Sequence, residues 1–522
     1  MNTLTHLKKY LHAAVAAALM MPVLSLADNE SDPNARMQQL EKMMQQMQQQ
    51  RAEQDQQLQA LSKELMAVQE QLAQAKEGKM AEKGKSTGSP VYAAFKDGVT
   101  FEDASGNWQL AINGRIQADY RAFSPDVSAA DTFSLRRARL GGTMTFYKDF
   151  VARVEGEYSG GSTSLTYGYI DINKYKQARL RIGQFKPFYG LERSMSTNFT
   201  DFQERSMADS LLGSTYDRGV MVHGAPVAGV YYSLAYFNGT GTSDENNAKN
   251  DGKDYAVRLA GNLAEMAEWK NSVVHLGGWW ASGNQGSRRQ ANVIPTGQTE
   301  GRGLQFFSTT CSGGTTGACP GATATTAATA NAFQDNADRT RGGGELALAY
   351  GPVKLQGEYI HTGFEGPGYK RAINSWYSSM VWNATGEPFA AMYKEGVFGR
   401  LRPTNSFKLG AEGWGALQLG MRYSKFDATD FQASNPAGTG TLSSLTTTLP
   451  TLPASLLDGL VNATNEADAW TLGANWILNP NVRFNLNYIR TEFGMPITVR
   501  TNGVLSTLDH EDALTMRAQY DF

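Results

Sequence analysis

Two cysteines in 522 residues are too few to staple a fold together, so the chain is not a disulfide-built scaffold. Cys311 and Cys319 share one low-complexity stretch, "CSGGTTGACPGATATTAATANA". There they either pair in an oxidising compartment or stay incidental thiols, and their spacing fits no metal motif. The six histidines are scattered, and G-x-S-x-G, H-E-x-x-H and P-loop patterns are missing. No catalytic centre, cofactor or metal is therefore expected. Charge nearly cancels, with 48 Lys and Arg against 50 Asp and Glu, which removes a global electrostatic case for nucleic acid. Mean hydropathy is −0.40. Past the N-terminus no apolar run approaches the roughly 18 residues that mark a transmembrane helix.

What the chain does have is glycine, 54 residues of it, with 22 tyrosines and 23 phenylalanines. At the start, Lys8 and Lys9 precede "LHAAVAAALMMPVL", and "SLA" at 25–27 supplies small residues for cleavage. Residues 1–27 therefore read as an export signal. A heptad follows within 28–76. One seam carries Met37, Met44, Arg51, Leu58, Leu65 and Leu72, and the other Leu40, Met47, Gln54, Leu61, Val68 and Ala75. That spacing predicts an α-helical coiled coil, which export would place in the periplasm. A polar linker is expected over 77–106.

From residue 107 the period falls to two. "QLAINGRIQADYRAF" puts Ile116 and Tyr120 on one face and Arg115, Gln117, Asp119 and Arg121 on the other. In "FVARVEGEY", Val154 opposes Arg153, Glu155 and Glu157; in "ARLRIG", Leu180 and Ile182 oppose Arg179 and Arg181. Short turns such as "YKD", "GP" and "NPN" alternate with long polar loops. Long strands with one short-turn end and one long-loop end are the pattern of an outer-membrane barrel. Strands are expected near 110–123, 132–147, 150–159, 164–173, 178–186, 216–224, 229–238, 253–262, 271–281, 341–350, 353–362, 373–383, 413–426, 467–478, 482–493 and 511–522. The expected fold is thus an all-β transmembrane barrel, 107–522, of sixteen antiparallel strands behind an N-terminal coiled coil. An even count returns both ends to one side, and 384–412 becomes a long periplasmic or lumenal connection. The last strand, "EDALTMRAQYDF", turns Leu514, Met516, Ala518, Tyr520 and Phe522 to lipid. Its terminal Phe, with Tyr520 two residues before, resembles the signal read by barrel-assembly machinery.

A sixteen-stranded barrel leaves an aqueous channel, and selectivity needs something to narrow it. The segment "KPFYGLERSMSTNFTDFQERSMADSLLGSTY" carries Phe188, Leu191, Met195, Phe199, Phe202 and Met207, which would be costly in water. Its core, 187–215, is expected to fold inward as the third loop. From Leu110 to Lys186 there are twelve Lys and Arg but seven Asp and Glu. Lys186, Arg193, Arg205, Arg115, Arg137, Arg139, Arg153 and Arg181 are the candidate anion-constriction residues, since arginine forks suit oxyanions. Glu155, Glu157, Glu192, Asp201, Glu204 and Asp209 lie among them, so the same arginines could instead brace the wall.

"RIGQFKPFYGLE", "YFNGTG", "DYAVRLAGN", "GWGALQLGMRYSKFD" and "LGANWILNPNVRFNLNYIR", in that order, resemble the phosphate-selective porin O/P family. The resemblance runs from about residue 95 to the end. It implies a homotrimeric outer-membrane porin with an inward third loop. It also implies that Lys186, Arg193 and Arg205 supply part of an arginine- and lysine-lined constriction, with Arg115 and the "RRAR" of 136–139 as its wall. The expected function is passive diffusion of small hydrophilic solutes, chiefly anions such as phosphate. The expected partners are inorganic or organic anions, outer-membrane lipid and further copies of the chain, with cell-wall contact through the stalk. The alternatives are a general or organic-acid porin and an envelope tether.

Overall fold

The computed structural model describes residues 90–95, 98–242, 253–285, 296–308, 337–366, 369–410, 412–431, 459–460, 464–501 and 504–522. The expected signal and coiled coil, and Cys311 and Cys319, lie outside these residues.

Sixteen strands form the barrel: β1 (Trp108–Ser124), β2 (Thr132–Phe146), β3 (Phe150–Glu157), β4 (Ser164–Tyr175), β5 (Ala178–Phe185), β6 (Asp217–Gly224), β7 (Val230–Phe237), β8 (Asp254–Asn262), β9 (Ser272–Gln285), β10 (Ala337–Tyr350), β11 (Val353–Gly366), β12 (Tyr369–Asn383), β13 (Ala416–Asp427), β14 (Glu466–Asn479), β15 (Val482–Thr501) and β16 (Val504–Asp521). Each pairs antiparallel with the next. β16 pairs back onto β1, from Asp512↔Ser124 to Asp521↔Arg115, and closes the ring. Closure matters because hydrocarbon offers no partner to a free sheet edge.

The two-residue rhythm does the sorting. Along β16, Ala513, Thr515, Arg517, Gln519 and Asp521 are buried inside, whereas Leu514, Met516 and Tyr520 are exposed outside. Outward aromatics gather at both rims, including Trp108, Tyr147, Trp269 and Tyr350 at the short-turn end and Tyr236, Tyr255, Trp280 and Trp470 toward the long loops. These are the girdles of a membrane barrel. Among the described residues no helix is long and apolar enough to cross a membrane.

Turn chemistry fixes the short end. Tyr147 and Lys148 take φ of 47° and 65° between β2 and β3, the left-handed conformation that matches the twist of a tight hairpin. At closure, Phe522 and Gly114 exchange backbone hydrogen bonds of 3.0 and 2.9 Å. A Cβ at Gly114 would stand 2.7 Å from the Phe522 ring, so only glycine lets the terminal aromatic lie there.

Where a linker was expected over 77–106, Val91–Phe95 and Val99–Asp103 form a hairpin that pairs onto the start of β1. Its alternation is too short to stand out by pattern. The 384–412 connection enters the lumen at the short-turn end. Its Phe389, Phe398 and Leu401 join Leu191, Met195 and Phe202 of the third loop in one buried apolar cluster.

Candidate functional site: the loop-lined constriction

The segment between β5 and β6 is held inside the ring by inward side chains from most of its circumference. Gly190, at φ 65°, turns the chain where a Cβ would collide with Glu358. The Glu358 carboxylate of β11 then accepts N–H bonds from Leu191 at 2.8 Å and Glu192 at 2.6 Å, and the Tyr377 hydroxyl at 2.6 Å. Further along, Glu300 accepts the Met207 N–H at 3.2 Å. Glu300 also accepts Arg422, Ser424 and Thr471 at 2.5, 2.5 and 2.6 Å. Arg483 donates to the Asn198 and Thr200 carbonyls, both at 2.8 Å. On β1, Arg115 donates to Thr197 at 2.8 Å. Leu211, Leu212 and Met207 fill a second buried cluster with Phe306, Phe307 and Phe426. Buried polar groups so paired are costly to unpair, which makes the loop a fixed part of the lumen.

A cavity of about 340 Å³ opens between this loop and the segment 296–308 of the next long inward loop. Five arginines line it: Arg136, Arg137, Arg193, Arg205 and Arg302, against Glu204, Asp209 and Glu300. Three of the expected constriction residues therefore meet here. Arg193 binds Asp209 at 2.5 Å, and Arg205 lies 3.5 Å from the same carboxylate. Arg137 donates to Gln117 at 2.8 Å. Among the described residues, neither Arg137 nor Arg302 has a carboxylate within 4.0 Å. Arg302 stands between Gly301 and Gly303 at φ 64°, a conformation few non-glycine residues adopt.

Glu204 gathers the other cations. Arg136 grips it at 2.9 and 3.2 Å, Arg517 reaches it at 2.8 Å and Arg121 at 3.2 Å. Burial favours its neutral form, but Arg136, Arg517 and Arg137 outweigh burial and hold its carboxyl well below the usual range. Asp209 is likewise held low, as Arg193 and Arg205 overcome burial.

The remaining expected residues stand elsewhere. Lys186 is sealed beneath the loop, donating to the Ser194 and Met195 carbonyls at 3.2 and 2.8 Å. Burial, with Arg205 and Arg193 nearby, pushes its ammonium well below the ordinary lysine range. Arg139 binds Glu157 at 2.6 Å and Glu155 at 3.3 Å, and Arg153 binds Glu155 at 2.6 Å. Arg181 forks onto Asp171 with two 2.7 Å bonds. Each of these three also lies over a tyrosine ring: Tyr216 at 5.7 Å, Tyr167 at 4.3 Å and Tyr169 at 4.1 Å. Arg115 bonds the loop and lies 3.6 Å from Glu155.

Two lining arginines escape a period-two reading. Arg136 is the extra residue of a bulge, since Gln117 pairs Arg137 while Ala118 pairs Leu135; a bulge re-aims a side chain. Arg302 sits in a long loop, and its only signal is the apolar "GLQFF" after two glycines, which a solvated loop would not need.

Comparison with known proteins decides the family. The model of the phosphate-selective porin O and P family matches residues 110–522. The chain belongs to that family. This porin is 25% identical over 455 residues to Porin O of Pseudomonas aeruginosa, covering 83% of this chain and 93% of that protein. Among solved structures, the anion-selective porin from Comamonas acidovorans aligns with 80% of this chain and 100% of its own, at 10% identity and a TM-score of 0.44. OmpT of Vibrio cholerae aligns with 80% and 98%, at 10% identity and a TM-score of 0.45. Family and barrel together make the protein an outer-membrane channel.

Proposed function

We propose that this porin passes small hydrophilic anions by diffusion, with phosphate and related oxyanions as its principal solutes. The observation that carries the reading is the excess of arginine in the loop cavity, five against three acids. Arg137 and Arg302 supply it, because neither has a carboxylate within 4.0 Å among the described residues, and Glu204 near them is already bound by Arg136, Arg517 and Arg121. A guanidinium offers forked donors that fit phosphate oxygens, and a charged constriction selects by sign. The family's name, phosphate-selective porin O and P, supports the same reading.

Single-channel currents of the purified protein in chloride, titrated with phosphate, test it. Phosphate should block the chloride current, and Arg137→Gln with Arg302→Gln should weaken the block roughly tenfold, a loss of ~1.4 kcal/mol. A pore that conducts chloride without any block would favour the second reading, a less selective porin open to organic acids. The neutralisation of Arg139, Arg153 and Arg181 is what supports that alternative.

Assembly as a homotrimer is part of the proposal. Strands β3, β5, β6 and β7 have eight residues each, short of the roughly 9–11 that span a bilayer. A neighbouring copy against this low wall would cover what lipid cannot. The heptad segment serves as a periplasmic stalk, and its removal with the chain up to the hairpin, residues 28–90, should leave conductance intact.

A further inference from the structure

The outer face of the barrel is not uniform. Across β13–β16, β1 and β2 it carries an apolar groove of about 510 Å³. Ala118 and Ala518 pair across the β1–β16 seam and, with Ala474, form its floor. Trp476, Phe484, Tyr120 and Phe133 stand around it. Side chains this small among Trp476, Phe484 and Phe133 leave a trough. From Leu417 on β13 to Phe133 on β2 it crosses five strand spacings, roughly 24 Å. Because strands of such a barrel tilt by about 35–45°, this path also rises by roughly 15 Å, the depth of one leaflet of a hydrocarbon core about 30 Å thick.

A second feature adjoins its short-turn end. After Leu401 the connection leaves the lumen and returns over the outside of the wall. The Phe407 N–H donates to the Leu478 carbonyl at 2.6 Å, and the Trp476 indole N–H to the Trp414 carbonyl at 2.7 Å. The Phe407 ring meets the groove-lining Trp476 edge-on at 5.5 Å. This turn exposes Leu409 by 92% and Trp414 by 79%, a cost in water and a gain at a membrane interface. Between Phe407 and Leu409 on this turn is Lys408, exposed and without a carboxylate within 4.0 Å among the described residues. Glu412, the acid on the same turn, makes no ion pair with it.

We propose that this face is a binding site for one phospholipid of the periplasmic leaflet. An acyl chain lies over Ala118, Ala474 and Ala518, the phosphate sits at Lys408, and Leu409 and Trp414 enter the interface beside it. The apolar trough and the unpaired cation at its periplasmic end match a phosphodiester with a hydrocarbon tail. An outer-leaflet lipid would bring its phosphates to the opposite rim, away from Lys408.

Native mass spectrometry of the intact porin, exchanged from detergent into phosphatidylglycerol, reads the outcome. One tightly held lipid per chain is expected. Ala518→Trp, which fills the trough, should cut retention roughly tenfold, and Lys408→Glu should lower it by a smaller factor. Leu276→Trp, on the lipid face of β9, should leave it unchanged. Heat-modifiable migration on gels checks that each variant has folded. Equal retention in Ala518→Trp and Leu276→Trp overturns the site. So does loss of the oligomer by Ala518→Trp with lipid retention unchanged, which would assign the trough to a second copy of the chain.

Discussion

Arg139, Arg153 and Arg181 on the β2–β5 wall differ from Arg136, Arg137, Arg193, Arg205 and Arg302 around the loop cavity in what their charges are for. On the wall each guanidinium lies over a tyrosine and binds an acid from its own or an adjacent strand. Such pairs leave little field for a passing ion. In the cavity the acids are outnumbered, and the shortage falls on Arg137 and Arg302. The lesson is that counting arginines along a porin lumen says little until each has been matched with its acid.

The largest break in that contrast should come from Arg137→Glu with Arg302→Glu. A unit charge ~5 Å from a solute is worth roughly 1–3 kcal/mol across effective dielectric constants of 80 to 20. The pair of reversals should therefore shift the anion-to-cation permeability ratio by at least about tenfold, read from reversal potentials. Next comes Arg422→Met, which cuts the ties from β13 to Glu192 of the third loop and to Glu300 of the 296–308 segment. Breaking a buried pair costs about 3–5 kcal/mol, so the loop should become protease-sensitive and the single-channel conductance should rise while the barrel persists. Arg181→Gln made together with Asp171→Asn should change the permeability ratio by less than about twofold, because the two charges removed already cancel. The smallest effect is that of pH. Glu204 and Asp209 are held low by their arginines, so neither gains a proton between about pH 5 and 8, and selectivity should be flat there. A steep titration in that window, measured in bilayers, would mean that other groups set the field.

Much of this was legible in the chain. Alternation located all sixteen barrel strands within a few residues at most of their ends, because a wall with water on one side and lipid on the other leaves no freedom of register. The larger errors, an end at 493 rather than 501 and a start at 511 rather than 504, fall where β15 and β16 run on together beyond the membrane and both faces are wet. Leu191, Met195 and Phe202, apolar in a long loop, lie buried in one cluster, the cover such residues need. The site was only partly legible. Arg137, Arg193 and Arg205 meet in the cavity, but Lys186 is walled off by a loop whose path no local pattern encodes. Arg136 depends on a single-residue bulge, and Arg302 on two distant segments meeting inside the ring. Tertiary placement, rather than periodicity, decides such residues.

The zero-current potential of this porin across a planar bilayer in a chloride gradient tests the central claim most directly. Anion preference is expected for the native chain and for a wall variant that removes the arginines together with their acids (Arg139→Gln, Arg153→Gln and Arg181→Gln with Glu155→Gln, Glu157→Gln and Asp171→Asn), and its collapse is expected for Arg137→Gln with Arg302→Gln. Cation preference in the native chain, or a collapse in the charge-balanced wall variant with the cavity pair unaffected, would contradict it.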